Sequence, residues 1–365
     1  MKMLNVEIPP QKAYGYPIYI GSGIIKDSYS LIKECCKSNK FLIVTNETVY
    51  KLHSDKLYIP NSKYLVLPDG EEYKNSDFFN LILDKAVENS LERIDAIVAF
   101  GGGVIGDMAG FAASTYQRGI NFIQIPTTLL AQVDSSVGGK VAINHKFGKN
   151  LIGSFYQPGL VIIDIDFLKT LPEKQFKTGM AEVVKYAFIE KACRANENFD
   201  VLNFLADNAD LIKSLDTDLM GKLIYMCCSL KSSVVSQDEK EKGLRRILNF
   251  GHTFAHSIET LTNYKKYTHG EAVAIGMRMA FKLSKEMKLI DDCYFNLAIK
   301  LLGEFELDYK LEIDATVEEF IDSMQHDKKV ENNKIRFVLP VSFQNVDIFE
   351  NVDKNILKKL VDKEL

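Results

Sequence analysis

The 365-residue chain has no surplus of either charge: 45 Lys and Arg stand against 49 Asp and Glu, a formal net charge of −4. It lacks the basic field that nucleic acid or an anionic lipid surface requires, although a local basic pocket for a small anion stays open. Cysteine is scarce and poorly spaced. Cys35-Cys36 and Cys227-Cys228 are adjacent pairs, and Cys193 and Cys293 are singles. They form neither a disulfide framework nor a CxxC metal knuckle, so reduced thiols are expected. The opening residues MKMLNVEIPPQK show no apolar signal-peptide core, and no apolar run reaches the ~18–20 residues of a membrane span. The expectation is a cytoplasmic protein without a nucleic-acid or membrane partner. There is no internal repeat and no low-complexity linker. A chain that is 46% hydrophobic and 26% charged is an ordinary globular one, and its length suggests about two domains.

The two halves differ in texture. Up to residue 171, short β-rich runs alternate with helical stretches, the pattern of an α/β domain with a parallel-rich sheet. Candidate strands are Phe41–Thr45, Tyr64–Leu67, Ile94–Phe100, Asn121–Ile125 and Val161–Asp164, with a helix at Asp77–Asn89. Val6–Ile20 reads as a hairpin. From Pro172 strands nearly vanish. Helical patterns cover Ala181–Ala195, Gly221–Gln237, Leu244–Leu261 and Gly270–Lys288, and Ile335–Leu339 reads as a stray strand. The boundary at Leu171-Pro172 has no flexible spacer, so residues 1–171 and 172–365 are expected to pack firmly as two domains.

Ile94–Phe100 runs into Gly101-Gly102-Gly103-Val104-Ile105-Gly106-Asp107, where Gly101, Gly103 and Gly106 satisfy G-x-G-x-x-G. Glycines let a backbone approach a pyrophosphate, and a following helix N-terminus favours its charge. A plain strand–helix turn has the same pattern; the strand before and the helix expected at Asp107–Ala113 favour the phosphate reading. The acidic residue usual some twenty residues on is missing, because the next strand ends in Pro126-Thr127-Thr128. A ribose is expected instead at Glu71, in the turn Pro68–Lys74, or at Thr45-Asn46.

Histidine is rare, six in all, yet His252, His256 and His269 fall within eighteen residues. On one helix Arg245, Asn249, His252, His256 and Glu259 share a face, within about 80° of arc. Such a stripe is either solvated or lines a polar pocket; two imidazoles and an amide favour the pocket. His269 opens the next helix as a possible third ligand, since catalytic zinc takes three protein ligands and keeps one position open. Glu182 is the available carboxylate. Taken alone, a simple i,i+3 ion pair with Lys185 is the better account of it. Further cations beside glycines, Lys140 and Lys149, with Arg118 and Lys328 elsewhere, suit an anionic ligand or plain surface charge.

In combination, GGGVIGD, IPTTLLAQVDSSVGGKVAIN, GKNLIG, GMAEVVKY, LNFGHTFAHSIE and THGEAVAIGM, in this order, resemble the 3-dehydroquinate synthase family of sugar-phosphate cyclases. The resemblance runs from about Val44 to Lys329 and is most specific from Gly101 to Gly276. It implies a nucleotide-binding α/β domain followed by a mostly helical metal- and substrate-binding domain. It places Zn2+ or Co2+ on Glu182, His252 and His269. It places NAD on Asn46, Asp69, Gly70, Glu71, Lys74, Gly102, Gly103, Val104, Ile105, Gly106, Asp107, Thr127, Thr128, Lys140, Lys149, Phe167 and Thr170. Asn46 departs from members that have Asp there. The reacting groups implied are Lys140, Asn150, Lys185, Arg245, Asn249 and His256, with Arg118, Asp134, Lys149, Lys231 and Lys328 binding substrate. Arg118 matches a residue that reaches a neighbouring subunit's site, which implies a homodimer.

The implied reaction is the shikimate-pathway step from 3-deoxy-D-arabino-heptulosonate 7-phosphate to 3-dehydroquinate and phosphate. It proceeds by transient oxidation at C5, phosphate elimination, re-reduction and intramolecular aldol closure. Rival readings are a cyclase making a valiolone or an inosose, an iron- or glycerol-type alcohol dehydrogenase, and a non-catalytic NAD-binding regulator. Arg245, Asn249 and Lys328 together favour a substrate carrying a carboxylate as well as a phosphate.

Overall fold

A computed structural model describes residues 15–325 and 335–365. The first half contains strand β1 (Ile18–Gly21), helix α1 (Ser28–Cys35), β2 (Phe41–Asn46), α2 (Glu47–His53), β3 (Ser62–Leu67), α3 (Ser76–Glu88), β4 (Ala96–Gly101), α4 (Gly103–Thr115) and β5 (Asn121–Pro126). A hairpin of β6 (Lys140–His145) and β7 (Gly148–Phe155) precedes β8 (Leu160–Asp164). Six strands form one parallel sheet in the order β1-β8-β5-β4-β2-β3.

Strands covered on both faces read as unbroken apolar runs, which is why they were visible in the sequence. Leu42, Val44, Ile97 and Ala99 pack on one face, and Phe41, Ile43, Ala96 and Val98 on the other. From β2 the chain steps outward to β3 and then returns to the opposite side of β2 for β4. Ligand crevices of open α/β sheets form at such reversals, beyond the strands' carboxyl ends. Asn46, Gly101 and Pro126 stand at those ends.

Ile18–Gly21, the end of the expected hairpin, is a strand that runs parallel to β8, with Ile18 opposite Val161. The remainder of that expected hairpin up to residue 14 lies outside the described residues. Helix α4 starts at Gly103, four residues before the expected start, with Gly102 as its N-cap. Gly106 is therefore inside the helix, where a Cβ would come within 3.0 Å of Gln124 Oε1 on β5. Its role is close helix–sheet packing. The hairpin β6–β7 was not apparent in the sequence; it lies over α4 through Val141 and Ile143.

The second half is helical: α5 (Glu173–Ile189), α6 (Val201–Lys213), α7 (Thr217–Gln237), α8 (His252–Leu261), α9 (His269–Glu286), α10 (Asp292–Glu304) and α11 (Val317–Gln325). The antiparallel pair β9 (Phe337–Ser342) and β10 (Asn345–Phe349) and helix α12 (Lys354–Glu364) follow. The expected stray strand is present as β9, with a partner the sequence did not announce. Helix α5 begins eight residues before its expected start at Ala181 and gives way at Lys191–Cys193 to a 3-10 turn.

The single helix expected over Leu244–Leu261 is broken. Leu244–Asn249 is a 3-10 turn, Gly251 takes φ 79°, and α8 starts at His252. The cause is the crossing of α8 over α9. A Cβ on Gly276 would fall 2.1 Å from Gly251 O, and one on Gly251 would meet Met277 N at 2.8 Å. One apolar cluster crosses residue 171, joining Leu129, Val133, Val161, Ile163 and Leu168 to Val183, Phe188, Phe254 and Val273.

Candidate active site

Three helices bring Glu182, His252 and His269 together. Glu182 sits midway along α5, and each histidine is the first residue of its helix. Thr268 and Glu271 form a capping box that fixes the start of α9. Glu182 Oε1 lies 3.5 Å from Nε2 of both His252 and His269, and the three ligand atoms all lie within 4.8 Å of one another. A tetrahedral ion about 2.1 Å from each ligand separates ligand atoms by about 3.4 Å, so this spacing suits one shared cation. Both carboxylate oxygens of Glu182 are buried, Oε2 against Lys185 and Oε1 against the two imidazoles. His252 Nδ1 lies 3.0 Å from Phe250 O; donating there, it leaves the Nε2 lone pair facing the centre. One carboxylate and two imidazoles, with room for a further ligand, make a donor set for zinc or cobalt.

Glu259 backs this cluster, with Oε1 3.5 Å from His269 Nδ1 and 3.6 Å from Lys149 Nζ. Burial opposes its ionisation, but His269, Lys149 and His256 outweigh burial and bring its pKa down to about 2. Burial likewise opposes charge on Glu182, and Lys185, His252 and His269 bring it to about 2. The two carboxylates raise His269 to about 10 against the effect of burial. A cation held here would take the place of the proton that the two carboxylates favour on His269.

A second buried polar layer adjoins. Lys185 pairs with Glu182 and lies 3.9 Å from Asp134 Oδ1. Lys231 Nζ donates to Asp134 O at 2.7 Å and Oδ1 at 2.8 Å, and Tyr186 OH donates to Oδ1 at 3.1 Å. Asp134 rides on a π-helical turn, Ala131–Ser135; such turns favour functional positions. Burial works against its charge, but Lys231 and Lys185 hold its carboxyl far below the usual range. Burial lowers Lys231 despite Asp134. Glu182 has both sets of neighbours that the sequence left open: one oxygen faces Lys185, the other the imidazoles.

Further cations converge on the same space. Arg245, 2% exposed, donates to Gly138 O at 2.9 Å and to Glu239 O. Lys140 pairs with Glu241, whose other oxygen accepts from Asn249 Nδ2 at 2.5 Å. Lys149 Nζ stands 4.1 Å over the Tyr264 ring, and the His256 ring lies 5.6 Å from that of His252. Because the helix breaks at Gly251, the stripe from Arg245 to Glu259 is not one helical face. Arg245 and Asn249 reach the site from the 3-10 turn and His252, His256 and Glu259 from α8.

The glycine turn forms the opposite wall. A Cβ on Gly102 would meet Thr128 Cγ2 at 3.1 Å, and one on Gly103 would meet Ser135 Oγ at 3.1 Å. The cleft face of the turn is thus bare backbone at a helix N-terminus, suited to phosphate oxygens. Asp69 accepts from Asn46 Nδ2 and from Thr48 Oγ1 at 2.8 Å. Buried Lys74 donates to Asp107 Oδ2 and to Asn150 Oδ1, both at 2.5 Å. Asn144 ties the hairpin to this wall, donating to Glu71 Oε1 at 2.8 Å and accepting from Asn150 N at 2.9 Å. Asn46 Oδ1 and Thr127 Oγ1 are buried with no hydrogen-bond partner, groups a nucleotide's hydroxyls can satisfy. These residues fit a dinucleotide.

One cleft of about 1710 Å3 is lined by Asn46, Asp69, Gly70, Glu71, Lys74, Gly102, Gly103, Val104, Ile105, Asp107, Thr127, Thr128, Asp134, Lys140, Lys149, Asn150, Phe167, Thr170, Lys231, Arg245, His256 and His269. Glu182, Lys185, His252 and Asn249 stand behind that lining, and Gly106 lies within α4. Asn150 bonds among the nucleotide-side residues. Arg118 is exposed and does not line the cleft; it precedes β5, at the end of the sheet away from the glycine turn. Lys328 lies outside the described residues. Glu241 and Asn144 went unnoticed in the sequence, where each looks like an ordinary loop or strand polar residue; Glu259 was visible only as the end of a stripe.

Sequence profiles described as 3-dehydroquinate synthase N-terminal and C-terminal match residues 64–178 and 179–330. The 3-dehydroquinate synthase of Shewanella sp. (strain MR-4) is 44% identical over 351 residues, covering 95% of this chain and 96% of that protein. That of Shewanella frigidimarina is 44% identical over 366 residues, covering 99% of each. A 2-deoxy-scyllo-inosose synthase solved with carbaglucose-6-phosphate, NAD+ and Co2+ superposes with TM-score 0.81 at 27% identity, covering 96% of this chain and 97% of its own. The 2-epi-5-epi-valiolone synthase of Streptomyces hygroscopicus subsp. jinggangensis, with NAD+ and Zn2+ bound, superposes with TM-score 0.86 at 22% identity, covering 98% and 99%. Profiles that together span most of the chain, and relatives that align along nearly its whole length, agree with a fold that sets a glycine turn opposite a Glu-His-His cluster: the chain belongs to the 3-dehydroquinate synthase family.

Proposed function

We propose that the chain converts 3-deoxy-D-arabino-heptulosonate 7-phosphate to 3-dehydroquinate and phosphate, the shikimate-pathway step of its family, using NAD and a divalent cation. The observation that carries the reading is one cleft holding a bare-backbone helix start on one wall and, at the other, the cluster of Glu182, His252 and His269, of which His269 reaches the lining. When bound, the cation acidifies substrate hydroxyls as a Lewis acid and the nicotinamide takes up and returns a hydride.

The chain's own residues hold and orient the substrate. Arg245 offers a planar fork to a carboxylate, with Lys231 beside it. Lys140, Asn150 and His256, with Lys328, hold the phosphate as it departs. Asp134, fixed by Lys231, Lys185 and Tyr186, accepts a substrate hydroxyl proton in a hydrogen bond. Lys149 and Asn249 complete the enclosure. Burial of Arg245, Lys231 and Lys185 among apolar helices strengthens the contacts these cations make. On the nucleotide wall, Gly102 and Gly103 meet the pyrophosphate, Asn46, Asp69 and Glu71 the ribose hydroxyls, and Thr127, Thr128, Phe167 and Thr170 the flanking surfaces.

The protein acts as a cytoplasmic homodimer in this reading. Arg118 is exposed at the sheet end remote from its own cleft, a position suited to serving a neighbouring subunit. Among the described residues no helix is long and apolar enough to cross a membrane. The reading is tested by incubating the protein with the heptulosonate phosphate, catalytic NAD and zinc. Phosphate and dehydroquinate should appear together without accumulation of NADH. Net NADH formation, or a valiolone or inosose as product, defeats it.

A further inference from the structure

We propose that His53 fixes the Thr170 hydroxyl as a pure hydrogen-bond acceptor, so that the cleft selects a dinucleotide whose base presents an amino group there over one presenting a carbonyl. The inference deepens the cofactor reading above and rests on it.

His53 ends α2 and is only 2% exposed, yet it lines the cleft with Val49, Leu52 and Phe167. Its ring centroid is 4.9 Å from that of Phe167. The two rings, inclined at 59°, line a slot between α2 and the 3-10 turn Ile165–Thr170. Pro172 caps α5 just beyond this turn, and Glu182 is ten residues further along the helix, a rise of about 15 Å. Slot and cation cluster therefore stand apart, leaving room for an extended dinucleotide with one base at each end.

The bonding alone settles the protons. Lys56 Nζ is 3.2 Å from His53 Nδ1; an ammonium only donates, so Nδ1 carries a lone pair. The neutral ring then bears its hydrogen on Nε2, which faces Thr170 Oγ1 at 2.9 Å. Thr170 Oγ1 donates its own hydrogen to Phe167 O at 3.0 Å. The hydroxyl spends its proton inside the protein, receives one from His53, and keeps a single lone pair for the cleft. Burial, helped by Lys56, lowers the pKa of His53 and preserves the neutral ring. The amino group of adenine donates to such a lone pair, whereas the carbonyl oxygen of hypoxanthine opposes it. A site built for one hydrogen-bond pattern rejects the analogue that lacks it.

The test is calorimetric titration of the protein with NAD and with nicotinamide hypoxanthine dinucleotide, which needs no turnover. The wild type should bind NAD about tenfold tighter or better. His53→Phe frees the Thr170 hydroxyl to rotate and donate, and Thr170→Val removes it; both should bring the ratio near one. His53→Gln, with an amide N–H for Thr170 and an oxygen for Lys56, should keep the preference. Thr170 is exposed, so its variant keeps the test decisive should His53→Phe fail to fold. Equal affinities in the wild type, or a preference that persists in Thr170→Val, overturn the proposal and leave the cofactor reading standing. Failure to bind either dinucleotide overturns the cofactor reading and the proposal with it.

Discussion

The two walls of the cleft are built in opposite ways. The nucleotide wall is contiguous chain: a strand, a glycine turn and a helix, with bare backbone as its working surface. The cation wall is assembled from side chains far apart in sequence, with Asp134, Glu182, Lys185, Lys231, Arg245 and Glu259 all carrying charge in or beside an apolar helical core. A backbone site needs little besides correct local folding. A buried-charge site needs every partner, because a lone charge left inside costs several kcal/mol. Substitutions on the first wall should therefore change dinucleotide affinity alone, whereas those on the second should change cation content, activity and stability together.

The largest expected effect is His252→Ala, which removes one of three ligands. Zinc measured by atomic absorption should fall from stoichiometric to near zero and turnover should vanish, with far-ultraviolet circular dichroism unchanged; retained zinc would undo the ligand assignment. Next is Lys185→Met, which strands Glu182, 1% exposed, without its cation. Urea denaturation of the metal-free protein should show a loss of roughly 3–5 kcal/mol. Glu259→Gln keeps the shape but weakens the hold on His269, and competition with a chelator should show zinc affinity reduced roughly 10–100-fold. Smallest is Gly103→Val, which puts a branched side chain where the helix start is bare. NAD affinity by titration should drop about tenfold, or about 1.4 kcal/mol, with zinc content untouched. A loss of zinc in Gly103→Val would erase the distinction between the walls.

The same contrast explains what the sequence disclosed. Residues such as Ile97–Phe100 announce a doubly covered parallel strand by themselves, and the glycine turn after them is a local pattern. His252, His256 and His269 were conspicuous because histidine is rare and these three are close together. The assignment of Arg245 to Glu259 to one long helix was wrong, since only the contact of Gly251 with Gly276 across two helices reveals the break. Glu182 stayed ambiguous from sequence because it truly has two sets of neighbours. Glu241 and Asn144 were invisible because their partners, Lys140 and Glu71, are 101 and 73 residues away. Arg118 stands exposed and away from the cleft lining.

The apolar cluster that crosses residue 171 bears on how the protein comes apart. Val161, Ile163 and Leu168 from the sheet side are packed against Val183 and Phe188 of α5, so the interior of the helical half includes residues of the sheet half. Heating should melt sheet and helices in one calorimetric peak, and protease cutting near Leu171 should leave no fragment that survives alone. The catalytic cleft thus lies on a seam that the chain cannot unzip without losing both sides.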